Sequence, residues 1–258
     1  MTTSIFNGDC LEMMKTLPDK SIDLFICDLP YGETNCKWDS LINLDEFWAE
    51  FRRLRKSKRV ACIHFCSTKF GYTLIKSWEK GFKMDMVWKK RNKTGGLQSR
   101  HRPMRNHEMV YFFYEQAPKY NRDKFHKRIY QKTHDIDLAS VVEEDERINE
   151  KGNSAHGWNI KYMDTPRVPS FDPKLPGSVF DSQKVFIGKR HHQTEKPQDI
   201  LEFFLKYWSD EGDTVLDPTM GSGSTGVACK ELKRNFIGYE LDQKIFEVAK
   251  KRLEIVEI

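Results

Sequence analysis

Two spacings of hydrophobic residues alternate along this sequence. Short, continuous apolar runs predict buried strands, and they occupy residues 22–27, 60–65, 84–88, 108–114, 214–216 and 236–239. Segments with apolar residues three and four positions apart predict helices with one buried face. These segments are residues 11–17, 44–54, 70–80, 197–208 and 227–232. The alternation of the two patterns predicts an α/β fold built on a parallel sheet.

Residues 217–226 carry three glycines in the order that nucleotide-binding loops use. Gly221, Gly223 and Gly226 form a G-x-G-x-x-G pattern between a predicted strand and a predicted helix. Glycines allow the backbone to turn tightly and to approach a ligand, and the start of the helix offers unpaired N–H groups. The segment therefore predicts a binding loop for a nucleotide-type ligand.

A carboxylate follows the next predicted strand. Glu240 comes directly after the run 236–239, at the position where an acid would hold a ribose diol. Because little sequence remains after this loop, the sheet needs further strands from elsewhere. We expect the strands of the N-terminal half to complete it.

Composition narrows the class of protein. With 258 residues and a net charge of +5, we expect one large domain or one domain with a sizeable insertion. No apolar run is long enough to span a bilayer, and the first residues lack a signal-peptide pattern, so we expect a soluble protein that is not exported. The six cysteines are Cys10, Cys27, Cys36, Cys62, Cys66 and Cys229. They lack zinc-ligand spacing, so we expect buried, reduced thiols and no metal.

The strand at residues 22–27 is followed by Asp28, Leu29, Pro30 and Tyr31. Strand ends of open α/β sheets face the ligand crevice. The Asp28 carboxylate and the Leu29 carbonyl, which the following proline helps to direct, are two acceptors suited to the hydrogens of an exocyclic amine. Tyr31 offers a flat ring on which a base can stack. Residue types alone equally allow a turn in which Asp28 caps a helix.

The four residues after this strand, taken with residues 217–226, resemble the S-adenosylmethionine-dependent methyltransferases that act on amino groups of DNA bases. The catalytic motif of that family is Asp/Asn/Ser-Pro-Pro-Tyr or a close variant, and Leu29 departs from the commoner proline. The catalytic motif precedes the cofactor loop here, an order that resembles the permuted β group and DNA methylases often carried by phages. Further matches are residues 7–10, 36–39, 192–197 and 235–238.

The resemblance implies a Rossmann-like methyltransferase sheet in a circularly permuted motif order, with an inserted target-recognition region. It implies S-adenosylmethionine as the cofactor and duplex DNA as the substrate, with the target base flipped out of the helix. The implied catalytic residues are Asp28, Leu29, Pro30 and Tyr31. The implied cofactor-binding residues are Asp9, Cys10, Asp28, Lys196, Pro197, Asp217, Thr219, Met220, Gly221, Ser222, Gly223, Ser224, Thr225, Glu240 and Leu241.

An Asp at the first motif position usually accompanies adenine N6 methylation in this family, so Asp28 favours adenine. Cytosine N4 is the alternative target, and RNA a further one. The resemblance is also compatible with a role in restriction–modification, with a homodimer and with the cytoplasm of a bacterial or phage-infected cell. No membrane partner is expected.

Residues 89–134 differ from the rest of the chain, with thirteen Lys or Arg against three acids. Basic loops with aromatic residues beside a catalytic edge are what polyanion binding requires. A solvated basic face is the alternative. The proposed DNA contacts are Lys89, Arg91, Lys93, Arg100, Arg102 and Arg105. Residues 135–150 are acidic and would repel DNA, and residues 151–181 are expected to be largely irregular.

These patterns divide the chain at residues 1–90, 91–180 and 181–258, with the middle part as the target-recognition insertion. A dinucleotide-dependent oxidoreductase would share the glycine loop but needs a second mononucleotide-binding half after it. A non-catalytic DNA-binding protein would leave residues 28–31 unexplained. A methyltransferase acting on RNA or protein is a closer rival, because the amine-holding motif suits those substrates too.

Overall fold

The computed structural model describes residues 1–33, 41–132, 167–182 and 195–253. The expectations for residues 36–39, for the acidic stretch 135–150, for residues 151–166 and for residues 192–194 therefore lie outside the described residues. In the described part, no helix combines the length and the apolar composition that crossing a membrane requires.

The described residues form one eight-stranded sheet. Its strands are β1 (Thr3–Asn7), β2 (Leu24–Cys27), β3 (Cys62–Cys66), β4 (Phe82–Thr94), β5 (Arg105–Phe113), β8 (Val179–Ser182), β9 (Thr214–Asp217) and β10 (Asn235–Glu240). They lie side by side in the order β1-β10-β9-β2-β3-β5-β4-β8. Two further strands, β6 (Lys127–Lys132) and β7 (Arg167–Asp172), pair antiparallel with each other.

Parallel pairing joins the two ends of the chain within this sheet. Strand β2 pairs with β9 on one side and with β3 on the other, both parallel. Strand β1 pairs parallel with β10. The expectation that N-terminal strands complete the sheet of the glycine loop is confirmed. Strand β5 is antiparallel to both β3 and β4, so the sheet is mixed, with its parallel part around β9 and β2.

Helices cover both faces of the sheet, and they are α1 (Cys10–Met14), α2 (Leu44–Leu54), α3 (Thr68–Ser77), α5 (Gln198–Trp208), α6 (Ser224–Glu231) and α7 (Gln243–Arg252). The short helix α4 (Arg122–Phe125) belongs to a second compact unit. Successive residues of a strand point to opposite faces, and β2 shows the result. Leu24 and Ile26 belong to the core that includes α5, whereas Phe25 and Cys27 belong to the core that includes α2.

Two expectations about the middle of the chain were wrong. The strand expected at residues 84–88 extends over Phe82–Thr94, so Lys89 and Lys93 lie on a strand and not on a loop. Its long pairing with β5 extends the hairpin beyond the apolar run, because backbone hydrogen bonds of a ladder do not require apolar side chains. Residues 151–181 were expected to be largely irregular, but the part of them that the structure describes, residues 167–181, contains β7 and most of β8.

The chain divides into two compact units, Met1–Asn121 with Gly177–Ile258, and Arg122–Pro176. The smaller unit contains α4, β6 and β7. Within it, the Arg122 guanidinium lies 5.1 Å from the ring centre of Phe171, and a ring nitrogen of His126 is hydrogen-bonded to the Pro173 carbonyl at 2.7 Å. The division of the sequence at residues 90 and 180 stays a prediction.

Packing of α5 on the sheet should be a major source of stability. Phe204 is fully buried, and its ring lies edge-on to those of Phe65 and Phe112, each with a centroid distance of 5.8 Å. We expect Phe204→Ala to lower the free energy of unfolding by about 3–5 kcal/mol, measured by urea denaturation. Tyr72→Ala on α3, where the side chain is exposed, is the control. A loss below about 1 kcal/mol for Phe204→Ala would contradict this packing role.

Candidate active site

One cavity of about 510 Å³ opens where parallel strands end. Asp9 follows β1, Asp28 follows β2, residues 218–222 follow β9, and Glu240 ends β10, and all of them line this cavity. Carboxyl ends of parallel strands meet at the same edge of a sheet, which explains how segments far apart in sequence share one space. The structure therefore brings the two main sequence motifs together.

The three glycines of the loop have different conformational roles. Gly221 and Gly223 have φ values of +54° and +81°, a region that favours glycine. A Cβ on Gly226 would lie 2.8 Å from the Phe236 ring, so this glycine allows α6 to pack closely on β10. Nothing lies within 4 Å of a Cβ placed on Gly221, and this residue lines the cavity.

Asp217 ends β9 and is buried beneath the loop. Its carboxylate accepts hydrogen bonds from the Thr225 hydroxyl at 2.6 Å and the Thr219 N–H at 3.1 Å. Burial raises the pKa of Asp217 to about 7, against an ordinary value of 3.8, and the two hydrogen bonds oppose that shift. Asp217 thus fixes the start of the loop to α6 and carries a proton more readily than an exposed acid.

Glu240 lies beside the loop at the end of β10. Its carboxylate accepts from the Gly221 N–H at 3.1 Å and from the Asp242 N–H at 2.7 Å. Burial raises the pKa of Glu240 above its usual value, while these backbone donors act against the shift. Leu241, the next residue, also lines the cavity and is exposed.

Residues 28–31 form one wall of the cavity. The Tyr31 hydroxyl donates to Asp28 Oδ1 at 2.8 Å, and the Tyr31 ring stacks on Phe70 with centroids 5.2 Å apart. Burial, followed by the nearby Asp28 charge, raises the pKa of Tyr31, so its hydroxyl remains a donor. The Leu29 side chain is buried. No helix begins within residues 29–33, so Asp28 does not cap a helix in this described segment.

Lys196 brings a cation to the same wall. Its ammonium forms an ion pair with Asp28 and lies 5.1 Å from the centre of the Phe65 ring. Pro197 occupies the N-cap position of α5. The preceding residue, Glu195, is almost fully buried and pairs with Arg252 of α7 at 2.6 Å. Through these contacts α7 helps to position Lys196.

Asp9 and Cys10 follow β1 and also line the cavity. The Asp9 carboxylate caps α1 by accepting from the N–H groups of Leu11 at 2.9 Å and Glu12 at 3.3 Å. Cys10 is buried. Their contact with a cofactor stays a prediction.

Several residues that line this cavity could not be singled out from the sequence, and Lys90 and Glu108 are two of them. They face the cavity from β4 and β5 and form an ion pair with each other. In the sequence, Lys90 was one of many basic residues and Glu108 was the polar start of a strand. Only the pairing of the two strands shows that these residues are neighbours.

The proposed DNA contacts lie on and around the β4–β5 hairpin. Lys89, Arg91 and Lys93 belong to β4 and Arg105 to β5, whereas Arg100 and Arg102 lie in the segment between the strands. Lys93, Arg100, Arg102 and Arg105 are exposed. Lys89 forms an ion pair with Asp181 at 2.6 Å.

Five cysteines fall within the described residues, and all are free and buried, which confirms the expectation for those five. Cys27, Cys62 and His64 form a cluster on β2 and β3. The two sulfur atoms are 3.7 Å apart, and Cys62 Sγ lies 3.2 Å from His64 Nε2. The cluster is fully buried and lies inside the core that contains α2.

Comparison with protein families gives a match over most of the chain. A family model described as DNA methylase, covering N6 and N4 methyltransferases, matches residues 22–251. The type II methyltransferase M.HinfI of Haemophilus influenzae is 26% identical over 280 residues, which cover 98% of this chain and 69% of that protein. The type II methyltransferase M1.MboII of Moraxella bovis is 26% identical over 279 residues, and the match covers 98% of this chain and 97% of that protein.

Solved structures share the fold. The M1.HpyAVI–SAM complex superimposes with a TM-score of 0.61 at 24% identity, covering 98% of this chain and all of that chain. The cytosine-N4-specific PvuII DNA methyltransferase gives a TM-score of 0.66 at 15% identity, and the superposition covers 100% of this chain and 87% of that chain. The expected Rossmann-like methyltransferase fold is confirmed.

The raised pKa of Asp217 predicts a pH-dependent stability. The folded state binds this proton more tightly than the unfolded chain, so the burial cost of the carboxylate is absent below about pH 4 and complete above about pH 7. We expect Asp217→Asn to gain stability relative to the natural protein across that interval, by about 4 kcal/mol at most. Urea unfolding at several pH values measures the difference. Asp85→Asn, which changes an exposed carboxylate on β4, is the control. A stability difference between Asp217→Asn and the natural protein that does not change with pH would contradict the raised pKa of Asp217.

Proposed function

This chain belongs to the DNA methylase family of N6 and N4 methyltransferases, and from that premise we propose that it methylates the N6 amine of adenine in duplex DNA, with S-adenosylmethionine as the methyl donor. The observation that carries the proposal is the meeting of Asp28 and the glycine loop in one cavity. The Asp28 carboxylate can hold an amine there, and the glycine loop can hold a nucleoside-containing cofactor.

The residues of the cavity fit this cofactor. Gly221 leaves open space where a side chain would stand, and the buried Thr219 hydroxyl has no hydrogen-bond partner among the described residues. The acidic lining, which includes Asp217 and Glu240, complements the cationic sulfonium and ammonium groups of S-adenosylmethionine.

Each part of the cavity would hold one part of the cofactor. Residues 217–225 would hold its methionine and ribose, and Glu240 would accept from the ribose hydroxyls. Asp9 and Cys10 would contact the adenine, with Leu241 beside them. Lys196 and Pro197 would lie near the methionine end. When bound, the cofactor supplies a methyl group activated by the positive sulfur.

The amine of a nucleobase needs help to act as a nucleophile, because its lone pair is delocalised into the ring. The Asp28 carboxylate and the Leu29 carbonyl would accept its two hydrogens and favour a more tetrahedral nitrogen. Pro30 stiffens the turn that directs these acceptors. The rate gain comes from positioning and electrostatics, and no covalent intermediate with a cysteine is required.

A base inside a duplex cannot reach this cavity, so the target nucleotide would be flipped out, at a cost of a few kcal/mol. The Tyr31 ring, supported by Phe70 at 5.2 Å, would stack on the flipped base. Because the hydroxyl of Tyr31 also donates to Asp28, the ring and the amine-binding carboxylate would be held in fixed relation.

Adenine is preferred over cytosine because Asp28 stands at the first motif position, where the family usually has Asp for adenine. Cytosine N4 methylation is the alternative, and it uses the same mechanism on a different amine. The motif order, with Asp28 before the glycine loop, supports a β-group enzyme of the type found in restriction–modification and in phages.

DNA would be held by the β4–β5 hairpin. Its base lines the cavity through Lys90 and Glu108, and its far end carries the exposed Arg100 and Arg102. Exposed guanidinium groups bind phosphate oxygens without regard to sequence. The hairpin would therefore align the duplex with the cavity.

We expect Asp28→Ala to abolish methyl transfer while the protein stays folded, because the amine loses its charged acceptor. The protein is incubated with methyl-labelled S-adenosylmethionine and mixed-sequence duplex DNA, and nucleosides are identified by mass spectrometry. The natural protein should give 6-methyladenine. Circular dichroism checks that the variant is folded, and calorimetry with S-adenosylmethionine measures separately how much cofactor binding it retains.

Each other outcome has a defined meaning. A 4-methylcytosine product would replace adenine with cytosine as the target. Methylation of RNA or protein but not of DNA would show that duplex DNA is not the substrate. Full activity of a folded Asp28→Ala variant would contradict the role of Asp28 as the amine acceptor.

The hairpin role predicts a change in the salt dependence of DNA binding. We expect Arg100→Ala with Arg102→Ala to weaken binding and to reduce the slope of log K against log salt concentration by about 2. Fluorescence anisotropy at several salt concentrations measures the slope. Lys83→Ala, an exposed cation near the other end of β4, is the matched control, and an unchanged slope in the double variant would exclude these two arginines.

A further inference from the structure

Four charged side chains of alternating sign lie together along one wall of the cavity. Asp28 pairs with Lys196, Lys196 lies near Glu108, and Glu108 pairs with Lys90. All four line the same cavity. The methyl-transfer mechanism above uses Asp28 as the amine acceptor and gives no role to Glu108 or Lys90.

The amine-binding carboxylate already has two partners in this structure. Asp28 Oδ1 accepts from the Tyr31 hydroxyl, and Asp28 Oδ2 is paired with the Lys196 ammonium. An ammonium in contact neutralises much of the negative charge that a substrate amine would meet. The Asp28 carboxylate would attract the substrate amine most strongly if the Lys196 ammonium moved to another acceptor.

Glu108 offers such a place. Its Oε2 atom lies 4.0 Å from Lys196 Nζ. This oxygen is buried and has no hydrogen-bond partner among the residues that the structure describes. A buried acceptor without a donor raises the free energy of the folded protein. The approach of the Lys196 ammonium would remove this cost by giving Glu108 Oε2 a hydrogen-bond donor. A side-chain movement of about one ångström would bring the pair into hydrogen-bond range.

The sheet holds Glu108 in position for this contact. Glu108 on β5 lies opposite Trp88 on β4, and Lys90 follows Trp88 on the same face of that strand. Lys90 Nζ binds the other carboxylate oxygen of Glu108 and lies 4.6 Å from the centre of the Trp88 ring. One oxygen of Glu108 is therefore occupied, and the other faces Lys196.

We propose that Glu108 is a positioning residue, which receives the Lys196 ammonium when the target amine occupies Asp28. This inference rests on the proposed methyl transfer. In that reaction the nitrogen lone pair forms the N–C bond, the C–S electron pair returns to sulfur, and the nitrogen becomes positive until it releases a proton. With Lys196 on Glu108, the full charge of Asp28 faces this nitrogen and takes up the proton, which then passes to water. The negative charge of Asp28 thus stabilises the positive charge that develops on the nitrogen in the transition state.

The test is a cycle of variants measured by steady-state methyl transfer to DNA. We expect Glu108→Gln, which keeps the shape but loses the charge, to lower kcat by about tenfold or more, because Lys196 then stays on Asp28. KM for DNA and the Kd for S-adenosylmethionine should change by less than about twofold. In a Lys196→Met background the same Glu108→Gln change should have no further effect on kcat, because Glu108 acts only through Lys196.

Controls separate this role from a structural one. Asp85→Asn removes an exposed carboxylate from the same hairpin and should leave kcat unchanged. Glu108→Asp keeps the charge and should recover part of kcat, and it replaces Glu108→Gln if that variant does not fold by circular dichroism. An equal loss of kcat in both Lys196 backgrounds would show that Glu108 supports the structure only and would overturn the proposal, as would full kcat in Glu108→Gln.

The failure of the proposed function looks different. If the natural protein gives no methylated nucleoside under the same conditions, methyl transfer to DNA is wrong and the inference about Glu108 is overturned with it. If the natural protein is active and only the variant pattern differs from expectation, the function stands and the role of Glu108 is wrong.

Discussion

The parallel pairing of β2 with β9 is the interaction on which the rest of the site depends. It places Phe25 opposite Leu216, so the residues that follow both strands emerge at the same edge of the sheet. Asp28 and the glycine loop thereby share a cavity, although one belongs to the first part of the chain and the other to the last. A slip of this pairing by one residue would reverse the faces of β2 and bury the wrong side chains in both cores.

Several carboxylates lie at this same edge of the sheet, and two of the acids near it are paired with basic side chains. Asp217 is buried deeply enough that its pKa rises to about 7. Lys196 pairs with Asp28, and Arg252 pairs with Glu195. An acidic cavity with such partners can accept a cationic ligand without leaving an uncompensated buried charge when the ligand departs.

The local parts of this structure could be predicted from sequence, and the non-local parts could not. The helix expected at residues 44–54 matches α2 at both ends, because its buried face repeats with helical spacing and Asn43 caps its start. The strand before Asp28 was evident from its apolar run. Glu108 and Glu195 were not recognised, because their importance arises from partners on other elements, Lys90 and Arg252. The length of β4 was underestimated for a similar reason, since its polar half is held by pairing with β5.

Among the described strands, β1 lies at one end of the sheet order, and this position has a consequence for biosynthesis. Its neighbour in the sheet is β10, the last strand to be made among those described. During translation from the N-terminus, β1 leaves the ribosome long before the strand that completes its hydrogen bonds exists. The glycine loop and Glu240 also come late, so a nascent chain would hold Asp28 and Tyr31 but not the surface that faces them. The cavity can form only after β10 and Glu240 have been synthesised, so a nascent chain that stops before them lacks part of the site.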